Sequence, residues 1–156
     1  MSIDFYELVL FVHISSAVIA WGATFTFPIF VRMARSRGVT DVAYFFATAG
    51  RIGQMVVLPA SLLLLASGVT MVLDSESLTF GGDEMKWIDV SMTLLVVLIL
   101  LGPLFFVRQE KKIQAAVDDP GGQDQLDGLL DRYLLVARIN SLIVLFILFL
   151  MATKPF

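Results

Sequence analysis

FYELVLFVHISSAVIAWGATFTFPIFV, residues 5–31, decides the fold. After Glu7 it holds a single side chain that ionises near neutral pH, His13, which is also the only histidine in the 156 residues. A helix needs about 20 predominantly apolar residues to cross a bilayer, and this run exceeds that. Three further stretches qualify: Met55–Leu73, Trp87–Val107 and Tyr133–Ala152. The chain is 58% hydrophobic and 16% charged, with a mean hydropathy of +0.85, well away from the soluble norm of roughly 25% charged. Together these features predict an all-α, four-transmembrane-helix bundle that forms one integral membrane domain over residues 1–156, with helices near 5–31, 40–73, 87–117 and 125–152. Asp4 and Glu7, rather than basic residues, precede the first span, and no small-residue cleavage pattern closes it, so it is read as a retained helix rather than a signal peptide.

Charge sets the expected orientation. Arg32, Arg35, Arg37, Arg51, Arg108, Lys111, Lys112, Arg132 and Arg138 flank the first and third connections, nine of the eleven Lys and Arg residues. The second connection has Lys86 among Asp74, Glu76, Asp83, Glu84 and Asp89. The positive-inside rule therefore puts the first and third connections in the cytoplasm and both termini outside, in the inner (plasma) membrane. Helices 2 to 4 are expected to carry cytoplasmic extensions. Val42, Phe45, Phe46, Gly50 and Gly53 have helical spacing behind Asp41, a candidate N-cap, and Gln109–Val117 prolongs helix 3. Asp118-Asp119-Pro120-Gly121-Gly122 breaks that helix, and Leu126, Leu129, Leu130 and Tyr133 form an amphipathic run into helix 4. Asp74 to Glu84, with Gly81-Gly82, reads as a short outer loop. The chain has no cysteine, which excludes disulfides, thiolate metal sites and cysteine nucleophiles. It has no glycine-rich phosphate loop, nucleophile elbow or intramembrane carboxylate pair, so a hydrolase, a nucleotide-driven pump and a nucleic-acid partner have no support.

His13 is the main chemical clue. An imidazole in the hydrocarbon region must be hydrogen-bonded, face a cavity or hold a metal, because left unpaired it costs several kcal/mol. It lies about 12 Å along the axis from the start of helix 1 at 1.5 Å per residue. Antiparallel packing then brings Ser67, Gly68 and Met71, Ser91 and Met92, and Phe146 to its level. Steps of three and four from His13 reach Ser16, Ala17, Ala20, Thr24 and Phe27. Such small residues serve either close helix packing or a slot for a flat ligand. Met71 and Met92 are the candidate soft partners of His13, as weak axial ligands to haem iron or as copper ligands.

Val12-His13-Ile14-Ser15-Ser16-Ala17-Val18-Ile19-Ala20-Trp21, Gly22 and the run Phe25-Thr26-Phe27-Pro28-Ile29-Phe30-Val31 resemble the first helix of the HemJ-type protoporphyrinogen oxidases. So does the ending Lys154-Pro155-Phe156 after an apolar helix opened by Arg138 and Asn140, as does Arg51 to Pro59 with Gly68. Length and layout are similar to uncharacterised small four-helix membrane proteins of that group and, more distantly, to CopD-type copper-resistance proteins. The resemblance implies a four-helix bundle that binds haem b through His13. One departure stands out. The HemJ-type pattern has a lysine four residues after the tryptophan that opens helix 3, whereas here Trp87 is followed at that spacing by Ser91, and Lys86 points about 140° away. A porphyrinogen oxidation lacks its expected cation. The resulting readings are a haem-binding redox or electron-transfer protein, a non-catalytic subunit or partner-binding bundle, and copper handling. Candidate cofactor contacts are His13, Ser16, Ala20, Ser91 and Arg138, the last facing a porphyrin propionate. Candidate metal ligands are His13, Met71 and Met92. The expected partners are the lipid bilayer and a second copy or a membrane redox partner.

Overall fold

The computed structural model describes residues 4–75, 80–81, 85–119 and 121–155. Glu76, Gly82, Asp83, Glu84, Pro120 and Phe156, on which parts of the loop and terminus readings fall, lie outside the described residues. The chain forms four long helices: α1 Phe5–Arg37, α2 Val39–Asp74, α3 Lys86–Asp118 and α4 Gln123–Thr153. Neighbours in sequence pack as neighbours in space, and α4 closes the ring against α1. Each helix runs antiparallel to the next, so both termini share one end of the bundle, here called the terminal end. The arginine-bearing connections share the other, the basic end.

Only 11% of the most apolar stretch of α1 and of α3 is buried, against 22% in α2 and 28% in α4. Phe11, Ile19, Leu63 and Leu142 all point outward. A helix that is apolar all round and exposed on most of its surface needs hydrocarbon as its solvent.

Local chemistry explains the helix ends. At the start of α1 the Asp4 N–H donates to Glu7 Oε2 at 3.2 Å in a capping box, so the acidic residues ahead of the first span satisfy orphan donors. Asp41 is not the N-cap of α2. α1 and α2 are joined by the single residue Gly38, whose φ of 117° is open to glycine but rarely to other residues, and Asp41 falls in the first turn. α1 itself continues past Val31 to Arg37. Between α3 and α4, Asp119 accepts from Gly121 N–H at 3.0 Å through its side chain and from Gly122 N–H at 3.0 Å through its carbonyl. A Cβ at Gly122 would sit 2.3 Å from the Ala116 carbonyl oxygen, so the turn admits only glycine there.

The core falls into three layers. At the basic end Val31, Val42, Phe46, Ile113, Leu130 and Tyr133 form the largest cluster, with Phe46 and Phe106 edge-on to Tyr133. The middle layer packs Ala20 and Trp21 against Leu64, Leu95 and Ile147. At the terminal end the cluster shrinks to Val72, Trp87, Ile88 and Leu150. α2 and α3 each contain one π-helical turn, Gly53–Val57 and Gly102–Phe106. A wide turn of this kind removes regular backbone pairing and is frequent at functional sites.

Candidate functional site

The thin core of the terminal end surrounds a cavity of about 720 Å³, within the roughly 300–1,000 Å³ range of small-molecule sites. His13 of α1, Gly68 and Met71 of α2, Ser91 and Met92 of α3 and Lys154 after α4 all line it. All four helices therefore contribute to one space, and the depth expected for Ser67, Gly68, Met71, Ser91 and Met92 brings them to His13. Phe146 faces outward, and Ile147 takes its place on the wall.

The imidazole is held from α2 by Ser67 and by the backbone of Leu64. His13 Nδ1 lies 3.1 Å from Ser67 Oγ, a hydroxyl that also has the Leu63 carbonyl at 2.7 Å and Leu64 O at 3.1 Å within reach of its hydrogen. In the tautomer with the proton on Nδ1 the lone pair resides on Nε2, an arrangement found in metal-ligating histidines. Gly68 makes room for it: a Cβ at that position would stand 3.2 Å from His13 Cε1 and 3.9 Å from Met92 Sδ.

Ser91 is only 1% exposed, and its Oγ is the one buried side-chain polar atom without a hydrogen-bond partner among the described residues. A serine inside a helix ordinarily bonds back to the preceding turn, as Ser61, Ser67 and Ser141 do. An orphaned buried hydroxyl costs about 1–3 kcal/mol. Lys154, in the left-handed region at φ 45°, holds its Nζ 5.5 Å from the centre of the Trp87 ring at the cavity wall. A cation thus stands beside the tryptophan that opens α3. It comes from the far end of the chain rather than from position 91.

The other predicted contacts lie elsewhere. Ser16 and Ala20 are buried, Ala20 within the middle core layer, and neither lines this cavity. Within the small-residue stripe of α1, Ser16 and Ala20 are buried in helix packing, whereas Ala17 lines this cavity. Arg138 is exposed near the basic end and does not reach the cavity. Among the described residues no three His, Cys, Asp or Glu side chains group as a metal site.

The fold and cavity define a small four-helix membrane protein with a ligand-sized site at one end. The chain belongs to the family described as "Predicted integral membrane protein (DUF2269)", whose model matches residues 7–155. The curated proteins and the solved structures yield no significant match. The family description gives a membrane location and no activity.

Proposed function

We propose that the terminal-end cavity holds a flat, acid-bearing ligand of the tetrapyrrole class, a b-type haem above all, with His13 Nε2 as the axial ligand and a redox or electron-transfer role for the protein. The observation that carries this reading is the buried hydroxyl of Ser91, without a hydrogen-bond partner among the described residues, in the same cavity as an imidazole whose Nδ1 is already engaged. Two polar groups have been withdrawn from lipid at a cost, and the protein itself does not fully satisfy them. The residues fit the group. His13 supplies a neutral nitrogen donor held by Ser67, the Ser91 hydroxyl is available to a polar substituent, and Lys154 offers positive charge for a propionate. The walls around His13 are largely apolar, which favours a low dielectric around the ring. A bound haem would supply one-electron chemistry, which the side chains present do not.

An oxidase acting on a porphyrinogen is the narrower form of this reading. Lys154 over Trp87 supplies a cation near the position at which the HemJ-type pattern has its lysine. Copper handling is the second reading, favoured by the approach of Met92 Sδ and His13 Cε1 to the same point above Gly68 and by Met71 on the same wall. For orientation, the nine-to-two division of basic residues supports termini that face outward in a plasma membrane.

The test is the absorption spectrum of the protein purified with its native lipids, beside that of His13→Ala. A Soret band present in the wild type and lost in a variant that still melts cooperatively is the expected result. A band retained by His13→Ala would exclude the only histidine as ligand and overturn the reading. Absence of the band with copper found by elemental analysis would transfer the cavity to the second reading.

A further inference from the structure

A second cavity, of about 470 Å³, opens at the basic end of the same bundle, and its chemistry has the opposite sign. Of its lining residues only Glu110 bears a carboxyl group, and none bears a cationic side chain. Its carboxyl group is half-buried and makes no ion pair among the described residues. The nearby cations turn away: Arg51, Arg108, Lys111, Lys112 and Arg138 are exposed and line no part of the cavity. The carboxylate rests on a bare backbone, since a Cβ at Gly50 would lie 3.0 Å from Glu110 Oε2. Glycine at this point of α2 lets the carboxyl group lie against the backbone, where a Cβ would force it to shift by a few tenths of an ångström.

Irregular backbone borders the same cavity. Both π-helical turns face this cavity, through Gly53 and Val57 and through Gly102 and Phe106. Pro28 and Pro103 have no N–H to give to the carbonyls of Thr24 and Ile99, and both of those residues line the cavity. Around the carboxylate stand Phe27, Phe106 and Tyr133, with the last two rings 5.3 Å apart. A lone carboxyl group and aromatic rings in an otherwise apolar cavity match the recognition of ammonium groups on an apolar body. A bare metal ion would leave most of the volume empty.

We infer that the basic-end cavity is a binding site for an organic cation, an amine or quaternary ammonium on an apolar framework, with Glu110 as its counter-ion. This inference is independent of the haem reading. The measurement is binding of tetraphenylphosphonium to the detergent-purified full chain, with the size-matched anion tetraphenylborate as control and protein-free micelles as blank. The cation should bind at least tenfold more tightly than the anion. Glu110→Gln should lower cation affinity at least tenfold, and His13→Ala should leave it unchanged. Where Glu110→Gln does not give a cooperative thermal melt, Gly50→Ala, which presses a methyl on the carboxylate, should weaken binding several-fold. Equal binding of the two probes, full affinity in a folded Glu110→Gln protein, or full affinity in Gly50→Ala where that variant stands in for it, would overturn the assignment. So would displacement of the probe by sodium or potassium beyond the effect of ionic strength, which would make this a metal site.

Discussion

The two ends of this bundle are built from the same apolar helices, yet they withhold opposite things from their cavities. At the terminal end the wall includes an imidazole, a buried serine hydroxyl, a tyrosine and an ammonium, and no carboxylate among the described residues lines it. At the basic end the wall has one carboxylate, and every surrounding arginine and lysine is turned outward. The contrast extends to packing, because the basic end holds the largest core cluster and the terminal end the smallest. A surplus of basic residues near a membrane face thus says little about what a cavity at that face accepts. The surplus sits at the interface, where long cationic side chains reach polar surroundings, while the cavity is governed by the few groups aimed inward.

The sharpest way to break the contrast is to fill one cavity alone. Gly68→Leu places a branched side chain where even a Cβ would lie 3.2 Å from His13 Cε1, and helix propensity favours the change by roughly 1 kcal/mol. Near-complete loss of any native chromophore or bound metal is expected, with tetraphenylphosphonium binding intact. Retention of the chromophore would show that His13 and Gly68 do not bound the ligand space.

The packing difference is tested by truncation. Phe46→Ala removes a side chain 2% exposed and stacked edge-on against Tyr133, at an expected cost of about 3–5 kcal/mol read as a lowered thermal midpoint in detergent. Val72→Ala in the small terminal-end cluster should cost distinctly less. Similar losses at both positions would erase the distinction between a consolidated and an open end.

Ser91→Ala has a smaller effect and a sign that depends on loading. It removes a buried hydroxyl that has no partner among the described residues, so the ligand-free protein should gain up to about 1 kcal/mol in a melt, whereas ligand retention should weaken. A loss of stability in the ligand-free protein would mean that the hydroxyl is satisfied internally. The smallest change belongs to Arg35→Ala, which severs contacts of 2.6 Å to Asp131 and 3.0 Å to Asp127 between α1 and α4. These groups are solvated, so the cost should stay below about 1 kcal/mol and fall as salt is raised. A larger, salt-independent loss would make this pair a structural clamp.

How far the sequence can be read depends on the range of the interaction. The four helices are legible because each needs only a sufficiently long apolar run, and the break after α3 because Gly121 and Gly122 follow an aspartate that can cap the turn. The level of His13 is legible too, since antiparallel spans of fixed rise bring Ser67, Gly68, Ser91 and Met92 to it. The stripe of Ser16 and Ala20 is ambiguous for a physical reason: small residues suit a neighbouring helix and a flat ligand equally well, and only the ring order of the helices decides. Asp41 misleads because Gly38 turns the chain so tightly that the helix has already begun. Lys154 reaches Trp87 through a left-handed backbone step, a contact that no spacing rule contains. The basic-end cavity has a local signal in Gly53 with Pro59 and in Gly102-Pro103, but Glu110 sits within an amphipathic, charge-rich stretch and looks like one more solvated residue.

The placement of both chain ends beside the first cavity has a practical consequence for handling the protein. Tyr6, one helical turn from the start of the described chain, and Lys154, just before its end, both stand on that cavity wall. An affinity handle attached close to Tyr6 or Lys154 is therefore tethered near the site. A polyhistidine tag would bring several foreign imidazoles within reach of a space whose own chemistry rests on one, and could capture haem or copper there without His13. A histidine-free tag, or its removal before the spectrum is taken, is a condition for attributing any absorbance to the native ring.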